Sequence, residues 1–332
     1  MKIDFHTHIM PRKYLDAVNK YLPSSTRPRY EAVRTLWDMD MRFRIMDKYP
    51  GLVHVLTPSG EPLELITKPK KALELAMICN DEMAELVNKY PDRFIAAVAC
   101  LPMNDIDNAI KEARRAIDEL KFKGIFIQLP IFNGPKVTKS IDREEFRPIF
   151  KLMTELDLPI WLHPFRLSSF KEYSTESESK YAIYHIFGWP YETTAAMTHI
   201  VMSGLLDQYP SLKVATHHCG AMVPYFAQRL AGIYDFYDKV VGTKMAELPK
   251  PPIEYFRLFY NDTALYGNTP ALMCAYSFFN ADHIVFATDF PYGPGLGDKY
   301  TEDTIVAVDE MSITSEEKQK IFSENAKRLL RL

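Results

Sequence analysis

Near the start of the chain stands Ile3-Asp4-Phe5-His6-Thr7-His8. Its apolar, β-favouring opening reads as a strand. In a strand successive side chains alternate between faces, so His6 and His8 share one face and Ile3 and Phe5 the other. Two imidazoles facing one way at the end of a strand form a two-point chelate for a borderline cation such as Zn²⁺. A His-x-His pair is a weak signal by itself, because histidine pairs are common on surfaces. Its meaning depends on what the rest of the chain places beside it.

Seven further short β-rich runs follow: Leu52–Leu56, Phe94–Cys100, Gly124–Leu129, Pro159–His163, Leu212–His217, Phe259–Thr263 and Ile284–Asp289. Helical spacing of apolar residues lies between most of them. It is clearest over Pro69–Lys89 and recurs over Asp105–Leu120, with Asn104 as the expected N-cap, and over Asp142–Glu155, opened by Ser140 or Asp142. Tyr191–Gln208, Met222–Asp238, Thr269–Phe279 and Ser315–Leu330 fit the same template. Eight strands alternating with helices is the pattern of an α/β (β/α)8 TIM barrel, which takes about 250 residues before insertions. The excess falls in Pro11–Thr35 and Pro164–Trp189, which become long βα loops on the face where barrels carry their sites. An open doubly wound sheet is disfavoured, since no GxGxxG follows the first strand.

The chain has 332 residues, 47% hydrophobic and 25% charged. Its 23 prolines cluster where elements should end, and no repeat or flexible linker interrupts it, so residues 1–332 are expected to form one domain. The net charge of −3 is too balanced for a protein that binds nucleic acid through phosphates. No run reaches the ~18 apolar residues of a membrane span. No signal-like stretch precedes the first strand, and the four cysteines show no CxxC, so a cytoplasmic protein with reduced thiols is expected.

The polar residues at the strand ends now gain meaning. His6 and His8 end strand one, His163 strand five, His217 and His218 strand six, and Asp289 strand eight. In a barrel these ends converge on one cup. Buried ionisable groups there are costly unless paired or coordinated. His6, His8, His163 and Asp289 therefore read as a metal set with an open position, of the catalytic kind. Regular strand geometry lets only one of His217 and His218 face the cup. His218, before the sharp exit Cys219-Gly220, is the better general acid/base, with His217 packing behind or supporting. His54, His185, His199 and His283 receive no role.

The order of these motifs resembles the amidohydrolase superfamily, and within it the aminocarboxymuconate-semialdehyde decarboxylase-like branch. The resemblance rests on IDFHTH (3–8), WDMDMRFRIMD (37–47), IWLHPF (160–165), the stretch ending THHCG (216–220), KPPIEYFRLFYNDTA (250–264), IVFATDFPYG (284–293) and ENAKRLL (324–330). It implies a barrel of the metal-dependent hydrolase type with one divalent cation, Zn²⁺ or alternatively Mn²⁺, on His6, His8, His163 and Asp289. It implies His218 as the catalytic histidine and Arg229 as a substrate-binding arginine; Asp289, by its place at the strand end, can either bind the metal or act on its water in catalysis. In some members that arginine enters a neighbouring subunit's site, which implies a homodimer or higher homo-oligomer. The chain departs from the branch where glycines flanking the catalytic histidine become His217 and Cys219, and where the tryptophan of HPW becomes Phe165. The branch's upstream carboxylate-binding arginine has three neighbours here, Arg27, Arg29 and Arg34.

The expected activity is non-oxidative decarboxylation of an unsaturated or aromatic carboxylic acid, with metal-activated water and His218 as acid/base. Phe165, Trp189, Phe290 and Tyr292 suit a flat substrate as well as ordinary packing. The alternative is a metal-dependent hydrolase or hydratase acting on a lactone, amide or enol acid, with Asp289 taking the proton. Strand four ends at Gln128 and offers no lysine of the kind carboxylated in binuclear amidohydrolases, which favours one metal and leans away from amide hydrolysis. A barrel that only binds a ligand is disfavoured by His218.

Overall fold

The structure, a computed structural model, describes residues 1–332. All eight expected strands form: β1 (Lys2–Ile9), β2 (Leu52–Pro58), β3 in two pieces (Phe94–Ala97 and Ala99–Cys100), β4 (Ile125–Leu129), β5 (Ile160–Pro164), β6 (Val214–Thr216), β7 (Tyr260–Asp262) and β8 (Ile284–Val285). Every neighbouring pair among them is parallel. The first piece of β3 pairs with β2 and the second with β4. Closure comes from the far end of the chain. Phe5 N–H donates to Phe286 O at 2.9 Å and His8 N–H to Phe290 O at 2.6 Å, so β8 lies beside β1. These are the bonds of a closed (β/α)8 barrel.

Two apolar layers hold it. Inside the ring lies a cluster drawn from seven strands, among them Ile3, Phe5, Val55, Val98, Phe126, Trp161, Ala215 and Val285, with Leu329 and Leu330 of the last helix closing the bottom. Phe5 stacks on Trp161 at 4.4 Å, and Trp161 Nε1–H donates to Phe5 O. A larger cluster fills the space between ring and helices. Ile3 and Phe5 thus face the barrel interior, against the parity expected for them. The pairing of β1 with β2 shifts register between Asp4 and Thr7. Such a bulge flips the alternation, so Phe5 and the two histidines all point inward.

Helices Pro69–Lys89 and Thr269–Phe279 form with the expected bounds. Others differ in detail. The cap of helix Ile106–Asp118 is Asp105, whose Oδ1 accepts from Asn108 N–H, and Asn104 stands outside it. The helix expected from Asp142 starts later, as a tight turn Glu144–Phe146 running into Arg147–Leu156. The stretch Tyr191–Gln208 splits at Gly204, whose φ of 74° ends one helix and begins the next. Helix Met39–Met46, capped by Asp38, and helix Asp298–Asp309 are additions. So is a small hairpin, Ile131–Phe132 with Thr138–Lys139, at the mouth of β4. No helix is long and apolar enough to cross a membrane.

Candidate metal centre and active site

The loops at the C-terminal ends of the strands enclose a cavity of about 660 Å³. Where His8 and His163 line it, His6 and His217 lie behind them, and the four bring nitrogen atoms within 4.8 Å of one another, all buried. Asp289 joins them, with Oδ1 3.2 Å from His8 Nε2 and 3.3 Å from His217 Nε2.

The orientation of each ring is set from behind. His8 Nδ1–H donates to the backbone oxygen of Pro58 at 3.0 Å, which leaves its Nε2 a lone pair facing the cluster. His217 Nδ1 is paired with Asp262 Oδ2, and His6 Nδ1 lies 3.6 Å from the same oxygen. Asp262 in turn accepts the N–H groups of Cys219 and Ala264 on Oδ1. His6 Nε2, His8 Nε2, His163 Nδ1, His217 Nε2 and Asp289 Oδ1 are all buried without a hydrogen-bonding partner. Unsatisfied donor atoms are expensive in a protein interior, and five converging ones make the coordination sphere of a cation. The residues fit a divalent metal, and the imidazole-rich set is of the kind zinc takes.

Charge in the cluster is organised around His217. Burial by itself lowers its proton affinity, but the Asp262 and Asp289 carboxylates more than offset this and carry it up to about 10. Its neighbours respond in the opposite sense. Burial and then the positive His217 hold His6 down at about 3, and the same two causes hold His218 at about 3. Burial, then His8 and His217, also hold His163 well below the usual range. Asp289 stays ionised despite burial, because His217 faces it. Metal binds only deprotonated imidazole, so a cation held here would take the place of the proton that His217 carries.

His217 is more than packing behind. Its ring centroid lies 4.1 Å from that of His6 and 4.9 Å from that of His163. His218 also reaches the cavity, with its ring centroid 3.9 Å from that of His217. Both neighbours face the site because the strand ends at Thr216. The backbone then turns through four consecutive left-handed residues, His218 to Ala221, with φ between 52° and 72°. Strand parity no longer applies there.

Of the other expected residues, Phe165, Trp189 and Tyr292 line the cavity. Tyr292 packs edge-on to His8 at 5.4 Å, and its hydroxyl shares a 2.6 Å hydrogen bond with Ser59. Phe290 does not line it: buried behind, it packs on Arg42 and His54. Arg229 is exposed on helix Val223–Phe236 and lies outside the cavity of its own chain. Among the three upstream arginines, Arg34 pairs with Asp38 and Arg27 donates to Leu22 O, whereas Arg29 lines the cavity above the Tyr292 ring. His185, passed over in the sequence, also lines the cavity and packs on Trp189 at 4.1 Å. Asp262 and Tyr266 were likewise missed. The acid at the end of strand seven, in Tyr260-Asn261-Asp262, was the available signal for the first.

A closed barrel with a buried histidine and aspartate centre at the C-terminal mouth of its strands defines a metal-site enzyme scaffold. Residues 3–332 match the Amidohydrolase family, and the chain belongs to it. The 2-amino-3-carboxymuconate-6-semialdehyde decarboxylase of Dictyostelium discoideum is 26% identical, over 100% of this chain and 92% of that protein. The gamma-resorcylate decarboxylase of Polaromonas sp. (strain JS666) is 28% identical, over 100% of this chain and 98% of its own. The crystal structure of a dihydroxybenzoic acid decarboxylase from Polaromonas sp. JS666, with bound manganese and the inhibitor 2-nitroresorcinol, superposes with a TM-score of 0.83 at 26% identity. That match covers 100% of this chain and 97% of the other.

Proposed function

We propose that this chain is a metal-dependent, non-oxidative carboxy-lyase acting on an aromatic or unsaturated carboxylic acid. The observation that carries the reading is the set of five unpartnered donor atoms converging beside His218 at the floor of an aromatic-lined cavity. The relatives named above are decarboxylases, which places decarboxylation ahead of hydrolysis or hydration on the same scaffold.

His6, His8, His163, His217 and Asp289 would hold the cation, for which the imidazole-rich set favours zinc over manganese. A divalent cation there supplies positive charge beside the substrate's carboxylate and adjacent oxygen. Phe165, Trp189 and Tyr292 hold the flat ring, and Arg29 receives an anionic group at the rim. His218 lines the same cavity. A carboxylate bound beside it raises its affinity for a proton, so the substrate loads the acid that will attack it. His218 then gives that proton to the carbon bearing the carboxylate. The bond to CO2 breaks, its electron pair returns to the ring, and water reprotonates the histidine. Aromatic walls and burial keep bulk water from competing.

The chain acts as one domain spanning 1–332. A second copy covers the apolar residues exposed on and after helix Val223–Phe236, among them Tyr225, Phe236 and Val240. Arg229 stands on this helix and would reach only a partner's cavity. The free thiols suit a reducing, cytoplasmic setting.

The test is to purify the protein without chelator, count metal per chain, and assay CO2 release from a panel of hydroxybenzoates and muconate-type acids. About one metal per chain with CO2 from any member supports the carboxy-lyase. Metal without CO2 release overturns it in favour of the hydrolase or hydratase, to be assayed with lactones and enol acids.

A further inference from the structure

Tyr266, four residues beyond the end of β7, has had no part so far. Its hydroxyl lies 3.1 Å from Asp289 Oδ2 and 3.3 Å from His218 Nε2, so one phenol touches both groups assigned to the chemistry. The fold holds it there at a cost. Tyr266 has φ 54°, a left-handed conformation that bulky residues rarely adopt and that persists only where the surroundings enforce it. The enforcing element is helix Asp298–Asp309. Its Tyr300 stacks on the Tyr266 ring at 4.3 Å. Its Asp303 lies so close that a Cβ on the next residue, Gly267, would come within 2.7 Å of it.

The hydrogen bonding then has one consistent direction. A phenol carries one hydrogen and accepts through its lone pairs. An ionised Asp289 can only accept, so the hydrogen goes to Oδ2. The phenol oxygen is left to accept, and His218 Nε2 must carry the proton it receives. His218 Nδ1 is buried with no partner, so the phenol is the one contact that decides between the two tautomers.

We propose that Tyr266 is a positioning residue that fixes His218 with its proton on Nε2, the nitrogen facing the Tyr266 hydroxyl, and keeps that imidazole from reversing its tautomer. In the reversed form the lone pair would face the phenol, and Nδ1 would not be free to take up the proton that substrate binding loads. The part concerning turnover rests on the carboxy-lyase reading; the tautomer assignment does not.

The test is Tyr266→Phe, which keeps the ring on Tyr300 and removes only the hydroxyl. Zinc-loaded protein labelled with ¹⁵N at histidine is compared with the variant by long-range ¹H–¹⁵N spectra, the His218 signals being assigned by their loss in His218→Gln. In the unaltered protein Nε2 is expected to be protonated and Nδ1 bare, and Y266F is expected to populate the opposite form. With an acid that the enzyme decarboxylates, kcat should fall by about tenfold or more while KM stays within about threefold and metal per chain is unchanged. An unchanged His218 tautomer in Y266F overturns the proposal, and so does a loss of metal in proportion to activity. If no acid on the panel releases CO2, the carboxy-lyase reading fails, but the spectra need no substrate and still decide the role of Tyr266.

Discussion

His217 and His218 are adjacent in sequence and differ in surroundings. His217 lies between Asp262 and Asp289 with its free nitrogen in the cluster, whereas His218 touches Tyr266 at the cavity. Exchange for alanine should separate them. His217→Ala is expected to lose most of the bound metal, measured as metal per chain. His218→Ala should keep it and lose turnover by a factor of ~10²–10⁴. Equal metal loss in both would make His218 a ligand. Away from the site, Glu64 is a buried carboxyl whose Oε1 accepts Met103 N–H at 2.6 Å. Burial pushes it up to about 7. A carboxyl raised on folding binds its proton more tightly in the native state. Its contribution to stability is therefore full below about pH 4.5 and is lost as pH rises through 7. Glu64→Gln has no such charge to bury. Denaturant titrations should show the unaltered protein losing a few kcal/mol relative to this variant between pH 5 and pH 8. Parallel pH profiles would remove Glu64 as the cause.

At the scale of elements, the turn after β6 decides whether the site exists. Gly220 sits in its middle at φ 72°, and a Cβ there would lie 2.7 Å from the Phe279 ring and 2.8 Å from Asn261 Oδ1. Asn261 Oδ1 accepts the Thr216 hydroxyl at 2.7 Å, so the clash falls on the bond joining β6 to β7. Gly220→Ala is expected to cost ~2–4 kcal/mol, through strain and displaced neighbours together. Thermal unfolding reads this as a lower Tm. An unchanged Tm would mean that the turn relaxes freely and that its conformation does not hold His218. The bulge in β1 is the matching device on the first strand. It places Phe5 under the site and His6 and His8 in it.

At the scale of the whole molecule, the cation links distant parts of the chain. Its proposed ligands come from β1, β5 and the ends of β6 and β8, so a bound ion ties the closing strand to the first. Anything that binds only the native state adds RT ln(1 + [L]/Kd), about 4 kcal/mol at a thousandfold excess over Kd. Stripping the metal with a chelator should therefore lower Tm by several degrees, and returning Zn²⁺ or Mn²⁺ should restore it. A Tm indifferent to metal that demonstrably leaves would place the ion elsewhere.

The order of the eight strands, the long helices and the residues at most strand ends were legible because they rest on local information. Period two, period 3.6 and breaker residues act over a few positions, and Pro69–Lys89 and Thr269–Phe279 carry them strongly. The His-x-His pair, His163 and Asp289 were visible for the same reason, since each lies at a readable strand end. What local patterns do not encode is register between strands and the course of loops. Closure against β8 and the register shift in β1 turned Phe5 inward, against its sequence parity. The left-handed turn brought His217 and His218 to one site although alternation separates them. Arg29 was distinguished from Arg27 and Arg34, and His185 and Tyr266 entered the cavity, through contacts between segments tens to hundreds of residues apart. Such contacts depend on how the closed barrel packs its loops, so only the tertiary structure could decide them.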